Sequence, residues 1–400
     1  MIKPQTLKGF RDFLPEEARK RQYVINILKK VFESYGFEPL ETPALEYEEI
    51  LIGKYGDEGD KLMYRFVDKG GRKVVMRYDQ TVPLARVVAQ YQNELPMPFK
   101  RYQIQNVWRA DNTQKGRFRE FLQCDIDIVG SESILSDLDI LSCVKTALSK
   151  LNFKDFTILV NSRKIFEQVE ANPKIISILD KEDKIGKDEV LLLLSEAMES
   201  DDKAKNFYSA LKNISPTDRL NQMLKKSEEL NLFFSPFLAR GLDYYTDLIF
   251  EVKIPKYKGG SVCGGGRYDN LIGMFANKKI PAVGCAFGFD RLIEAMDELN
   301  LFPQNIVASS TKVLVTIFKP ELLNKSIEIT LLLRRNRVST EFYLDESAKM
   351  EKQLKYADKK GIPYVVIIGQ DEASKNLVIL RNMRTRKQVA IKPEDILKKI

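Results

Sequence analysis

Apolar residues recur at three- and four-residue steps through residues 15–35, at Val24, Ile27, Leu28, Val31, Phe32 and Tyr35. That spacing predicts an amphipathic helix with one buried face. Pro15 suits its first turn, Glu16 and Glu17 suit the positive end of its dipole, and Gly36 is placed to end it. An extended segment then reaches Pro43. Residues 73–79, 99–109 and 118–130 read as strands, the last with Phe121, Ile126, Ile128 and Val129 as apolar positions. Residues 131–151 read as a helix with Leu135, Leu138, Leu141 and Leu148 on one side. Residues 165–230 are rich in Leu, Lys, Glu, Asp and Ser and poor in strand formers, which predicts a small helical insertion. Strands return at 237–254, followed by a glycine turn and a helix near 267–276. The run Ala282 to Gly288 then enters a helix carrying Asp290 and Arg291.

Beyond a hinge near 303–311 the pattern alternates. Strands are expected at 313–318, 340–343, 364–368, 377–380 and 388–391, and helices at 321–335, 347–360 and 394–400. Strand–helix alternation predicts an α/β sandwich with a mixed sheet. The expected division is a core in two parts, 1–164 and 231–305, interrupted by the insertion 165–230 and followed by a module at 311–400.

The charge sharpens that division. Residues 311–400 hold 19 Lys+Arg against 11 Asp+Glu, a net of +8, which equals the net charge of the whole chain. A neutral body with a basic terminal module suggests a polyanionic partner, nucleic acid first, with a solvated basic surface as the plainer alternative. The chain has 400 residues and no histidine. Imidazole general bases, Ser-His-Asp triads and His-ligated metals are therefore excluded. Cys124, Cys143, Cys263 and Cys285 form no CxxC pair, so reduced thiols of a cytoplasmic enzyme are expected rather than a zinc site. No apolar run is long enough to span a membrane.

Three segments carry chemistry. In Val107-Trp-Arg109-Ala-Asp111 and Lys115-Gly-Arg117-Phe-Arg-Glu-Phe121-Leu-Gln123-Cys-Asp125-Ile-Asp127, two strands flank a polar loop at 112–116. Antiparallel pairing would point Arg109 and Arg117 into one cleft, and a guanidinium binds phosphate bidentately. Phe121 could stack on a purine. Gln123, Asp125 and Asp127 lie at period two and share one face. A salt-bridged hairpin is the competing reading. In Val283-Gly-Cys-Ala-Phe-Gly-Phe-Asp290-Arg291, the glycines allow close backbone approach at a strand-to-helix junction. In Ala239-Arg-Gly-Leu-Asp-Tyr-Tyr-Thr246 and Cys263-Gly-Gly-Gly-Arg-Tyr-Asp269, a cation, phenols and carboxylates can line a small pocket suited to an amphoteric substrate.

These segments, in this order, resemble motifs 2 and 3 and the two signature segments of the histidyl-tRNA synthetases. The helix and strand leading to Pro43 resemble motif 1 of class II synthetases, which builds their dimer interface. The variants Arg109-Ala-Asp111 and Arg77-Tyr-Asp-Gln-Thr81 look like the eukaryotic/archaeal branch of the family. The resemblance implies an α+β fold: a class II antiparallel sheet with surrounding helices, the helical insertion and a C-terminal α/β anticodon-binding domain.

The same resemblance implies the roles. Arg109 would contact the ATP α-phosphate, Phe121 stack on adenine, Arg117 reach the γ-phosphate and Arg291 grip the γ-phosphate side of ATP. Asp79, Thr81 and Gln123 would hold the substrate α-amino group. Asp127 and Tyr245 would bond the imidazole nitrogens, Tyr268 would close the pocket, and Arg240 would face the α-phosphate as a catalytic cation. Asn112, Gln114 and Lys115 would meet the tRNA acceptor end. Arg334, Arg335, Arg337 and Arg381 are candidates for the anticodon. Mg²⁺ would bridge ATP phosphates near Asp111 and Glu120, its protein ligands left unknown. The implied partners are L-histidine, ATP, tRNA(His) and a second copy of the chain in a homodimer, and the implied reaction is histidine–tRNA ligation. A chain without histidine would also remain translatable when charged tRNA fails, although chance or codon bias explains the absence equally well. A regulatory paralogue of the synthetases, such as the partner of ATP phosphoribosyltransferase, and a synthetase for another amino acid are the alternatives.

Overall fold

The computed structural model describes all residues except 1, 114–115, 240–243, 304–305 and 307–308, with backbone only at 57–58 and 183–184. The chain forms two compact units, Met1–Asp12 with Val24–Leu301, and Phe13–Tyr23 with Phe302–Ile400.

The first unit carries strands β1 (Glu38–Pro39), β2 (Leu45–Tyr47), β3 (Arg65–Val67), β4 (Lys73–Met76), β5 (Phe99–Trp108), β6 (Glu120–Val129), β7 (Thr157–Ser162), β8 (Leu232–Phe234), β9 (Leu248–Lys253), β10 (Cys263–Arg267) and β11 (Ala282–Gly288). Eight of them form one sheet in the order β1-β5-β6-β11-β10-β9-β7-β8. Its central pairings, from β5 to β7, are antiparallel, and only the edge pairs β1–β5 and β7–β8 are parallel. The long β5–β6 hairpin follows from two ten-residue runs joined by a loop whose Gly116 sits at φ +71, a conformation that L-residues resist. A second, three-stranded sheet runs β2-β4-β3.

Helix Pro15–Ser34 buries Val24, Leu28, Val31 and Phe32. The Phe32 ring packs 5.8 Å from Tyr102 on β5 and 5.7 Å from Phe287 on β11. The apolar face of this helix is therefore covered by its own sheet. Exposed apolar side chains stand instead on the small sheet, where Leu45, Tyr47 and Phe66 remain accessible, and Tyr47 and Phe66 flank Val74 in register.

The insertion is helical from Arg163 to Lys226. Its apolar core, including Phe166, Leu179, Val190, Leu194 and Leu211, is continuous with Leu238, Ala239 and Ile249 of β9. It packs on the β9 side of the sheet. Among the described residues of the strand expected over 237–254, Leu248–Lys253 forms a strand, and Tyr244 and Tyr245 ahead of it line a cavity. The helix expected near 267–276 is a single 3₁₀ turn, Ile272–Met274; Gly273 within so short a segment offers little helix propensity.

The second unit adds β12 (Val313–Val315), β13 (Thr340–Phe342), β14 (Tyr364–Ile367), β15 (Val378–Asn382) and β16 (Gln388–Ile391), in the order β13-β12-β14-β15-β16. Two parallel pairs and two antiparallel pairs make the sheet mixed. Alternate residues face opposite layers: Val313 and Val315 join Ile329, Leu333 and Ile396, whereas Leu314 joins Ala357 and Ile362. The closing segment, expected as an α-helix over 394–400, is a 3₁₀ helix, Pro393–Lys398.

Candidate active site

The period-two polar residues of β6 meet a matching row on β5. Arg101 lies opposite Asp127, Gln103 opposite Asp125 and Gln105 opposite Gln123. On the other side of β6, the partners of Asp127, Asp125 and Gln123 on β11 are Gly284, Ala286 and Gly288. One side of the ladder is thus charged and amide-bearing, and the other carries almost no side chains. A Cβ at Gly284 would overlap the Asp127 carboxylate, and one at Gly266 would press on Leu248 O and the Tyr245 ring. These glycines are required by close approach, and they leave a floor for a ligand.

Above that floor lies a cavity of about 480 Å³ lined by Asp79, Thr81, Gln123, Asp127, Tyr244, Tyr245 and Tyr268 at one end. Arg109, Arg117, Phe118, Phe121, Asp290 and Arg291 line the other. At the acidic end, Tyr55 donates to Asp79 Oδ1 at 2.7 Å, and the Val82 amide donates to the same oxygen at 3.1 Å. Asp79 Oδ2 has no partner among the described residues. The Tyr268 hydroxyl donates to Asp127 Oδ1, and Arg101 Nη2 lies 2.8 Å from Asp127 Oδ2. Burial raises Asp79, Asp125 and Asp127 above the ordinary carboxylate range, with Arg101 opposing the rise; Asp125 is pushed up to about 8. Thr81 opens helix Thr81–Gln90 and lines the cavity together with Tyr244. An acidic pocket with an unpartnered carboxylate oxygen suits an ammonium group.

At the cationic end, Arg109 is oriented by its Nε bond to Tyr78 O at 3.0 Å and lies between Tyr78 and Phe121, 4.5 and 5.3 Å from their ring centroids. Arg117 Nε bonds Asp111 at 2.9 Å. The hairpin is therefore salt-bridged and cleft-lining at once. Arg291 Nη1 donates to Ser261 O at 3.0 Å. Arginines at this spacing, with aromatic faces beside them, can receive the phosphates and base of a nucleotide.

Of the residues singled out from sequence, Asp79, Thr81, Arg109, Arg117, Phe121, Gln123, Asp127, Tyr245, Tyr268 and Arg291 meet in this one cavity. Asn112 is exposed and outside its lining. Arg240, Gln114 and Lys115 lie outside the described residues. Asp111 is engaged by Arg117, Glu120 accepts from the Trp108 indole at 2.7 Å, and no cluster of three metal-binding side chains occurs among the described residues.

The anticodon candidates separate. Arg334 bonds Thr340 O at 2.9 Å and, with Arg337, lines an open pocket at the β12–β13 end. Arg381 sits on β15, with β12 and β14 between it and β13. Arg335 does not line that pocket.

Three residues escaped the sequence reading. Arg101 and Gln103 carry the legible signal of period-two polar residues inside a strand. Arg11 carries none: its guanidinium lies 3.2 Å over the Phe118 ring and 2.8 Å from Asp290 Oδ2.

Comparison with known proteins gives matches along the chain. The family profile of histidyl-tRNA synthetase matches residues 9–292, and that of the anticodon binding domain matches residues 312–400. Histidine–tRNA ligase from Cytophaga hutchinsonii is 37% identical, with 100% of each chain covered. That from Christiangramia forsetii is 38% identical, with 96% of each covered. The crystal structure of histidyl-tRNA synthetase from Nostoc sp. PCC 7120 superposes with a TM-score of 0.84 at 29% identity, covering 100% of both chains. The matched relatives are bacterial and give no support to the eukaryotic/archaeal branch. The shorter carboxylates behind that reading have local partners, Tyr55 for Asp79 and Arg117 for Asp111.

Proposed function

This chain belongs to the histidyl-tRNA synthetase family, and from that premise we propose that its cavity joins histidine to ATP and passes the histidyl group to tRNA(His). The substrate carboxylate attacks the α-phosphorus of ATP, the bond to the β-phosphate oxygen breaks, and histidyl-adenylate and pyrophosphate result. The terminal ribose hydroxyl of the tRNA then displaces AMP. The carboxylate is already ionised, so a chain without histidine needs no imidazole base for the first step.

The observation that carries the reading is the lining of this cavity: Asp79, Gln123 and Asp127 at one end, and at the other Arg109, Arg117 and Arg291, where Asp111 pairs with Arg117 and Asp290 with Arg11, over a glycine floor. The ammonium would sit at Asp79, Thr81 and Gln123, with the imidazole between Asp127 and Tyr245 and Tyr268 closing the pocket. Arg109 would hold the α-phosphate and Arg117 and Arg291 the outer phosphates, with adenine on Phe121. Charge develops on the α-phosphate in the transition state, where preorganised cations act most strongly. Arg240 is proposed for that role from the family resemblance. Mg²⁺ is expected to arrive on ATP, with Asp111 and Glu120 as its possible protein partners.

The basic second unit would engage the tRNA anticodon through Arg334 and Arg337, and the exposed row Leu45, Tyr47 and Phe66 would meet a second copy of the chain. The free thiols Cys124, Cys143, Cys263 and Cys285 suit a cytoplasmic setting. Pyrophosphate exchange with a panel of amino acids tests the central reading. Exchange driven by histidine alone is expected; exchange driven by another amino acid, or by none, overturns it.

A further inference from the structure

Behind the cavity wall, Gln123 Nε2 donates to Asp125 Oδ2 at 2.8 Å, with both side chains buried. Gln123 lines the cavity and Asp125 does not. A carboxamide has two chemically opposite ends, and either could face a ligand. Tying the NH₂ to a fixed acceptor leaves Oε1 as the end turned away from Asp125. An ammonium group requires that end, because Nε2 would present a donor to a donor.

Asp125 is suited to the task in either protonation state. Its Oδ1 has no partner among the described residues, so a proton there leaves Oδ2 as an acceptor. The groups around it, Arg101, Asp127 and Asp79, are themselves buried. Gln103 and Ala286 flank it on the adjacent strands.

We propose that Asp125 is a positioning residue that holds the Gln123 carboxamide with its oxygen toward the substrate, and so sets the preference for ligands bearing an α-ammonium. This rests on the reading that Gln123 meets that ammonium.

The test compares two ligands by calorimetry: L-histidine and 3-(imidazol-4-yl)propionate, which lacks only the ammonium. Asp125→Leu should lower the preference for histidine over the analogue by about tenfold or more, as expected for a charge-assisted bond, and leave analogue affinity unchanged. Asp125→Asn, which can still present an oxygen to Nε2, should retain most of the preference. Gln123→Leu should show the same loss as Asp125→Leu, and the double variant no further loss, because the two act as one unit. Should Asp125→Leu fail to fold, Asp125→Ala carries the same comparison. A wild-type preference in the position-125 variant, alongside a loss in Gln123→Leu, overturns the role of Asp125 alone. So does an equal loss of both ligands. A wild-type preference in Gln123→Leu overturns the underlying reading of the pocket as well.

Discussion

Arg101 and Asp127 face each other across β5 and β6, 2.8 Å apart, with side chains only 0% and 3% exposed. Asp127 has further buried carboxylates nearby in Asp125 and Asp79, so its charge depends on this guanidinium. Removing one partner of a buried pair costs about 3–5 kcal/mol, more than the pair contributes over an apolar replacement. Arg101→Leu should lose that much in urea unfolding. The double variant Arg101→Leu/Asp127→Leu should lose less than the sum of the single changes. Strict additivity would show that the two do not interact.

The pH dependence of stability should report Asp125. Its pKa is raised by burial first, from the ordinary aspartate value of 3.8 to about 8 in the folded chain. Between those limits the folded state binds more protons than the unfolded one. The stability Asp125 contributes is therefore full below about pH 4 and is lost as pH rises toward about 8. Asp125→Asn removes this dependence. Its stability relative to wild type should rise between about pH 5 and about pH 8 in parallel urea titrations. A constant difference would mean that Asp125 does not titrate in that window.

Arg11 reaches from the N-terminal segment to Asp290 while stacking on Phe118. Phe118 and Asp290 both line the cationic end of the cavity. Arg11→Ala should raise the KM for ATP several-fold and leave histidine affinity intact, with Arg11→Lys intermediate because a point charge stacks less well than a planar guanidinium. An unchanged KM for ATP would make the contact purely structural.

Arg334 and Arg337 share a pocket at one end of the second unit's sheet, and Arg381 lies strands away. Arg334→Ala/Arg337→Ala should weaken tRNA charging and reduce its salt dependence, since fewer phosphates are neutralised. Histidine-dependent pyrophosphate exchange should not change. Charging at the wild-type rate would move the anticodon contact elsewhere.

Phe66 is 46% exposed beside Val74 on the small sheet. A charge placed within an apolar interface is strongly disfavoured. Phe66→Glu should convert a dimer of 46.1 kDa chains to monomer in light scattering. A variant still dimeric at micromolar concentration would exclude this face.

The sequence alone determined what is local or periodic. Period two put Gln123, Asp125 and Asp127 on one face, and the charge count separated residues 311–400, whereas the glycine turn expected after 254 is in the structure strand β10, Cys263–Arg267, paired with β11. Only the tertiary structure decided which strands lie side by side. β5 and β6 are joined by a short loop, yet β11 reaches β6 from some 160 positions later in the chain, and no local pattern encodes that pairing. That pairing supplies Gly284 beneath Asp127 and turns a row of acids into one end of a cavity. The cross-strand register gives Asp127 its Arg101. The fate of the first helix's apolar face was equally unreadable, because amphipathicity says that a face is covered and not by what. Burial, which raises Asp125, is a property of all the elements packed around it and of no single segment.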